Sequence, residues 1–352
     1  MRWRKVKNSI KITCLIMICN SMVGSISLRC LAEFPGHYQA EKGNVKFDCE
    51  VICPEYLEKG IYSVKQVEAA WADKASEEEL LVNGKEIKEK HESDASEFAP
   101  ASTYYILENG AHVSAGGDFS YSIPTANFYW QLGLISNYEG EYENIVLEMG
   151  SPEEYIQNTK GLLEQIGIPA DKYQFQWMSF DSEMLEQLEK KHIGANLIDA
   201  GDEKGIWTNE DEIYIVYGWQ YEQELPVLTE IMGFNFENCL DRVENASVLS
   251  IYSSRGLEYI LALEYYQFQK NGEELQLVEF ETAVQTVEEK LNNILGENQY
   301  EVVQAKLFER VKRTEKQELE VRPVWRFDVV ENGNSHFAVL VDAGTGEESY
   351  FL

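Results

Sequence analysis

Val321 to Glu348 reads VRPVWRFDVVENGNSHFAVLVDAGTGEE, and this stretch decides the fold. Two alternating apolar runs flank Asn332-Gly333, the dipeptide best suited to a two-residue type I′ hairpin turn. The second run ends in Asp342-Ala343-Gly344-Thr345-Gly346-Glu347, a tight turn before a last strand. Period-2 alternation puts Trp325 with Phe327, and Val339 with Val341, on common faces of antiparallel neighbours. Upstream, Val284, Val287, Leu291 and Ile294 form one helical stripe closed by Gly296. That stripe is expected to cover the Trp325 face, leaving Glu331 exposed.

The same order is legible earlier. Ser151-Pro152-Glu153-Glu154 gives an N-cap serine, a proline in the first turn and a capping-box glutamate. Tyr155, Ile156, Thr159, Leu162, Leu163 and Ile166 share a stripe, and Gly167 with Pro169 ends the helix. Strands are expected at Tyr173–Phe180, Glu212–Trp219, Ser247–Tyr252 and Leu257–Gln269, the last closing on Asn271-Gly272, with a second helix near Ser182–His192. Strands at Tyr300–Val311, Val321–Val330 and Phe337–Asp342 complete the C-terminal group. Helices precede groups of alternating strands, which means α+β with antiparallel sheets covered on one face.

Nearer the N-terminus, strands are expected at Val45–Cys53 and Ile61–Trp71. A short helix is capped by Ser76 and Glu79, and Lys85–Ala101 reads as loop or linker. Thr103–Leu107 and Ala111–Ser114 flank Asn109-Gly110 as a hairpin, with Phe119–Ile123 and Asn127–Ile135 as further strands. The domain reading is 1–32 signal peptide, 33–101 strand/helix region and linker, 102–150 β-rich hairpin region, 151–275 first α+β unit and 276–352 C-terminal unit.

Residues 1–11 carry Arg2, Arg4, Lys5, Lys7 and Lys11 without an acid. An apolar run to Leu28 and the exit Cys30-Leu31-Ala32 follow. This is the pattern of a secretory signal peptide, with an uncleaved anchor as the other reading. Removing residues 1–32 deletes six basic residues and leaves 24 against 61 acidic ones, a net charge near −37. Such a chain repels phosphate backbones, so no nucleic-acid partner is expected, and membrane contact only through an uncleaved N-terminus. Cys49 and Cys53 lie four residues apart on one strand, roughly 13 Å and too far for a disulfide. A bridge from either to Cys239 stays open.

No catalytic, cofactor-binding or metal-ligating residue is assigned. His37, His91, His112, His192 and His336 are dispersed without an HExxH motif, and each is expected on the surface or in a turn. Serine-hydrolase and phosphate-loop signatures are absent. The acidic run Asp199–Glu212, DAGDEKGIWTNEDE, departs from a calcium loop and reads as solvated. Tyr104, Tyr105, Phe128, Tyr129, Trp130, Trp219, Tyr221, Tyr265 and Tyr266 supply aromatics, about half of them buried by alternation.

Leu277–Ala283, Pro323, Trp325, Phe327, Asp342, Ala343, Thr345, Gly346 and Glu347 resemble the helix start, strand and turn positions of the PepSY-type repeat. The tandem arrangement behind a signal sequence resembles the YycH/YycI-type accessory proteins and uncharacterised exported envelope proteins of low-GC bacteria. The resemblance implies tandem PepSY-like units behind an N-terminal β-rich region. It also implies a non-catalytic, exported cell-envelope protein, without cofactor, that binds or regulates a protein partner. The alternative is an extracellular hydrolase using a carboxylate pair.

Overall fold

The computed structural model of the chain describes residues 34–57, 60–96, 99–132, 144–195, 203–229, 247–294, 296–314 and 318–351. The expected signal segment 1–32, Cys239, residues 133–135 of one expected strand, and Asp199 and Asp202 of the acidic run lie outside these. The chain begins with β1 (His37–Lys42), β2 (Val45–Ile52), β3 (Ile61–Ala70) and α1 (Lys74–Leu81). Next come β4 (Ile87–Ser93), β5 (Ser102–Leu107), β6 (His112–Ala115), β7 (Phe119–Ser122) and α2 (Ala126–Gln131). α3 (Pro152–Gln165), β8 (Tyr173–Phe180), α4 (Ser182–Gly194), β9 (Ile213–Glu222) and β10 (Leu225–Thr229) form the middle. β11 (Val248–Ser253), β12 (Gly256–Ala262), β13 (Tyr265–Gln276) and α5 (Phe280–Asn292) lead into β14 (Tyr300–Arg313), β15 (Leu319–Glu331), β16 (Ser335–Asp342) and β17 (Glu348–Phe351).

Among the described residues, fifteen strands join one large sheet, while β3 and β13 form a separate two-stranded ribbon. Every pairing among them is antiparallel except those of β14 with β2 and with β10. Helices on a mostly antiparallel sheet make the fold α+β.

The C-terminal hairpin forms as its sequence dictates. Asn332 (φ 52°) and Gly333 (φ 78°) both take the left-handed conformation that a type I′ turn needs. The Asn334 amide donates to the Glu331 carbonyl at 3.2 Å. Because Glu331 pairs with Ser335, Asn334 is one extra residue in the loop. Trp325 lies opposite Val341 and Phe327 opposite Val339. All four are fully buried, in one core with Val284, Val287 and Leu291 of α5. In the last turn, Asp342 Oδ1 accepts the Gly344 and Thr345 amides at 2.8 and 2.9 Å. Gly346 has φ 77°. Gly344 is needed for a different reason: a Cβ there would sit 2.6 Å from Leu275 Cδ2.

Glu331 is half-buried rather than exposed, and its Oε1 accepts from Asn298 Nδ2 at 2.5 Å. Glu331→Ala should therefore cost about 0.5–1.5 kcal/mol, the worth of one hydrogen bond, measurable by urea denaturation.

The middle of the sheet is covered on both faces. β11 is buried at all six positions, and β9 at its first six. Val248 and Ile260 pack with Leu81 of α1 and Leu163 of α3, while Leu249 and Ile251 face Leu185 and Leu188 of α4. Double coverage removes the alternation expected of a one-faced sheet. α3 starts as expected, Ser151 Oγ accepting the Glu154 amide.

Five expectations are corrected. Lys85–Ala101 contains β4, an exposed strand at the sheet edge, where its charges suit an unpaired edge. Asn127–Gln131, read as strand, is helical in α2, which follows Pro124-Thr125. Leu257–Gln269 is two strands, and Asn271-Gly272 does not reverse the chain. Its turn chemistry instead buckles β13: Lys270 pairs with Lys65 and Glu274 with Ser63, leaving three residues opposite Val64. α1 is capped by Asp73, whose Oδ2 accepts from Ser76. Finally, β1 and β2, from the expected N-terminal region, are paired into the C-terminal sheet through β14.

Glu77 of α1 is fully buried. Its Oε2 accepts the Gly116 amide at 2.5 Å, while Oε1 has no partner among the described residues. Burial, aided by Asp73 and Glu78, pushes its carboxyl up to about 7. The folded chain thus keeps a proton that the unfolded chain releases near pH 4–5, and stability falls as pH rises from there to about 7. Glu77→Gln removes this titration. Its stability gain over the unchanged protein should be near zero at pH 4 and approach about 3 kcal/mol at pH 8, read from denaturation across pH.

Candidate functional site

The residues that the sequence singled out for chemistry are dispersed or engaged. His37 bonds Asp48, and His112 Nδ1 lies 2.5 Å from Tyr104 Oη. His91 and His336 are exposed. His192, expected at the surface, is buried on α4, where burial and Lys191 hold it below the usual imidazole range. Of the aromatics, Tyr105, Tyr129, Tyr265 and Tyr266 are buried, Phe128, Trp219 and Tyr221 half-buried, and Tyr104 and Trp130 exposed.

The end of the acidic run is tied down. Asp211 accepts from Lys204 Nζ at 2.6 Å and from Arg255 Nη1 at 3.1 Å. Although burial opposes it, these bonds and those from Thr208 hold its carboxyl below the ordinary range. Arg255 Nε also donates to the fully buried Glu258 at 2.9 Å. Among the described residues, no group of His, Cys, Asp or Glu is arranged to hold a metal ion. Cys49 is fully buried, and burial pushes its thiol up to about 11, so it is inert.

A cleft lies where the β3–β13 ribbon meets the start of β15. Its volume is about 1190 Å³, with Val64–Ala69 along one wall and Glu318–Arg322 along the other. Residues 95–96 and 99–100 close one side, and Glu273–Leu275 from the β13 bulge form another. Neither the bulge nor the cleft is legible in the sequence; Asn271-Gly272 is the signal, and it reads as the close of a strand.

Behind the β3 wall is a buried polar triad. Lys65 Nζ donates to Glu309 Oε1, and Tyr62 Oη donates to Glu309 Oε2 at 2.5 Å. The side chains of Lys65 and Glu309 are 3% and 0% exposed. Burial pushes the Glu309 carboxyl up, opposed by Lys65 and Tyr62. Burial and Glu309 push the Tyr62 phenol up, which keeps it a donor. This triad was missed because Tyr62, Lys65 and Glu309 are distant in sequence and their types recur throughout the chain. It locks β3 to β14 and offers no free acid or base to the cleft.

No histidine lines the cleft, and Ser96 Oγ is engaged in accepting the Ala99 amide at 3.1 Å. What the walls present is strand backbone, carboxylate charge and apolar side chains such as Leu275 and Leu319. Among the described residues no helix is long and apolar enough to cross a membrane.

No family profile matches the sequence, and no curated protein matches it. Solved structures do. An uncharacterized protein from Eubacterium rectale superposes with a TM-score of 0.60 at 11% identity, over 90% of this chain and 94% of that one. At that identity the likeness shows a shared fold alone. The C-terminal domain of Bacillus megaterium YpeB aligns over 79% of this chain and 94% of its own, at 8% identity and a TM-score of 0.30, too low to carry an argument.

Proposed function

We propose that this chain is a non-catalytic, exported protein of the bacterial cell envelope that works by binding a protein partner. The observation that carries the reading is the cleft, whose walls are strand backbone and unspent charge rather than a nucleophile, a base or a metal set. The basic, apolar N-terminal segment supports export. The two helix-led strand groups, α3 with β8–β9 and α5 with β14–β17, read as degenerate PepSY-like units, which serve as binding modules.

A photo-crosslinking residue placed at Gln66 in the cleft wall, in the producing bacterium, tests this. The expected result is one discrete adduct with an envelope protein, absent when the crosslinker is moved to exposed Glu164 on α3. Fractionation should find the chain outside the cytoplasm. Recovery in the cytoplasm, or turnover of an envelope glycan by the purified chain, would overturn the reading.

A further inference from the structure

The cleft's walls say what kind of segment it takes, an inference that rests on the binding role proposed above. A strand turns alternate residues to opposite faces, so a cavity on one face meets every second residue. Here six consecutive residues, Val64–Ala69, and five more, Glu318–Arg322, line the space. Each wall is therefore a strand edge.

Among the described residues both edges lack a partner strand. β3 pairs with β13 and with no other strand among the described residues. β16 pairs with β15 only from Val324 onward. The last bond on that side runs from the Ala343 amide to the Pro323 carbonyl, at 2.9 Å. Carbonyls two residues apart on a strand point the same way, so those of Val321 and Leu319 point to the same side, where no strand pairs with them among the described residues. At about 1190 Å³ the space exceeds the roughly 300–1,000 Å³ of ordinary small-molecule pockets.

The charge on these edges is one-sided. Glu68, Glu273, Glu274, Glu318 and Glu320 line the cleft against Lys65 and Arg322. Both cations are spent, Lys65 on Glu309 and Arg322 on Glu320, the latter at 2.5 Å. Glu68, Glu273, Glu274 and Glu318 have no ion pair among the described residues. Acids on open edges repel other acidic strands. With a net charge of −31, a second copy of this chain is among those repelled.

We propose that the cleft accepts an extended, lysine- or arginine-rich segment of the partner protein as an added strand. Main-chain hydrogen bonds to one of these open edges hold it, and the glutamates select its charge.

The probe is a ten-residue peptide of alternating lysine and valine, added to the full chain. Its glutamate–valine counterpart and a backbone N-methylated lysine–valine peptide are compared with it. The lysine–valine peptide should bind saturably and slow hydrogen exchange at residues 64–68 and 319–322. N-methylation removes strand pairing but keeps the charge, and should weaken binding about tenfold or more. Glu68→Lys with Glu318→Lys, both at exposed positions, should weaken it about tenfold and admit the glutamate–valine peptide instead. Capture of that second peptide also shows that the variant is folded. Equal binding of the N-methylated peptide, protection elsewhere, or no binding overturns the strand-addition proposal. If the double variant still forms the envelope adduct in the cell, the partner uses another face; this inference then fails while the binding role stands.

Discussion

Trp325→Ala is expected to lower the stability of the chain by about 3–5 kcal/mol, the range of large aromatic truncations in cores. Trp325 is fully buried at the centre of the α5-covered core. Phe280 of α5 meets its ring edge-on at 5.1 Å, and Phe34 does so at 5.2 Å. Leu307 and Val341 lie opposite it on the two neighbouring strands. No compact rearrangement fills the volume left by an indole among strands held in register on both sides. Among the described residues the indole Nε1 has no hydrogen-bond partner, so packing holds the ring. Trp325→Phe should recover more than half of the loss, since it keeps the edge-to-face contacts and removes an unpaired buried donor. Urea midpoints for both variants check this. A loss under about 1 kcal/mol for Trp325→Ala would mean that the site is not a packed core.

Lys65→Met is expected to cost about 3–5 kcal/mol at neutral pH, because it leaves the Glu309 carboxylate buried without its cation. Glu309 is fully buried and, among the described residues, keeps Tyr62 alone as a donor once Lys65 is gone. The loss depends on pH in a defined direction. Without Lys65 the folded-state pKa of Glu309 rises further above its unfolded value of about 4.3. The variant is therefore close to the unchanged protein near pH 4, where Glu309 is protonated in both states, and falls behind as pH rises. Lys65→Met/Glu309→Gln should return to within about 1 kcal/mol of the unchanged protein, since a buried ion pair contributes little beyond what its removal as a pair restores. Thermal melts of the single and double variants from pH 4 to 8 form the test. A flat pH response of Lys65→Met would show that water reaches Glu309.

Local signals are legible wherever one chain segment carries the whole instruction. Asn332-Gly333, the Ser151-Pro152 helix start and the Trp325/Phe327 face each depend on residues a few positions apart, and the structure contains all three. Errors arose where local chemistry was right and its setting was not. Asn271-Gly272 has a turn's geometry, with Gly272 at φ 83° and the Glu273 amide on Asn271 Oδ1 at 2.8 Å. Because β3 runs on past it, the same geometry makes a bulge rather than a reversal. The charges of β4 read as linker, since an edge strand buries too little to leave an apolar pattern.

By itself, then, the sequence determined the α+β class, the C-terminal hairpin and the helix stripe that covers it, because period and turn chemistry are properties of neighbouring residues. Only the tertiary structure decided that β2 lies beside β14, that Tyr62 and Lys65 close on Glu309, and that two strand edges face one cleft. Each of these joins segments more than 200 residues apart, or depends on which edge a third strand leaves open. A pairing at that distance is set by how whole elements pack, and no local pattern of side chains encodes it.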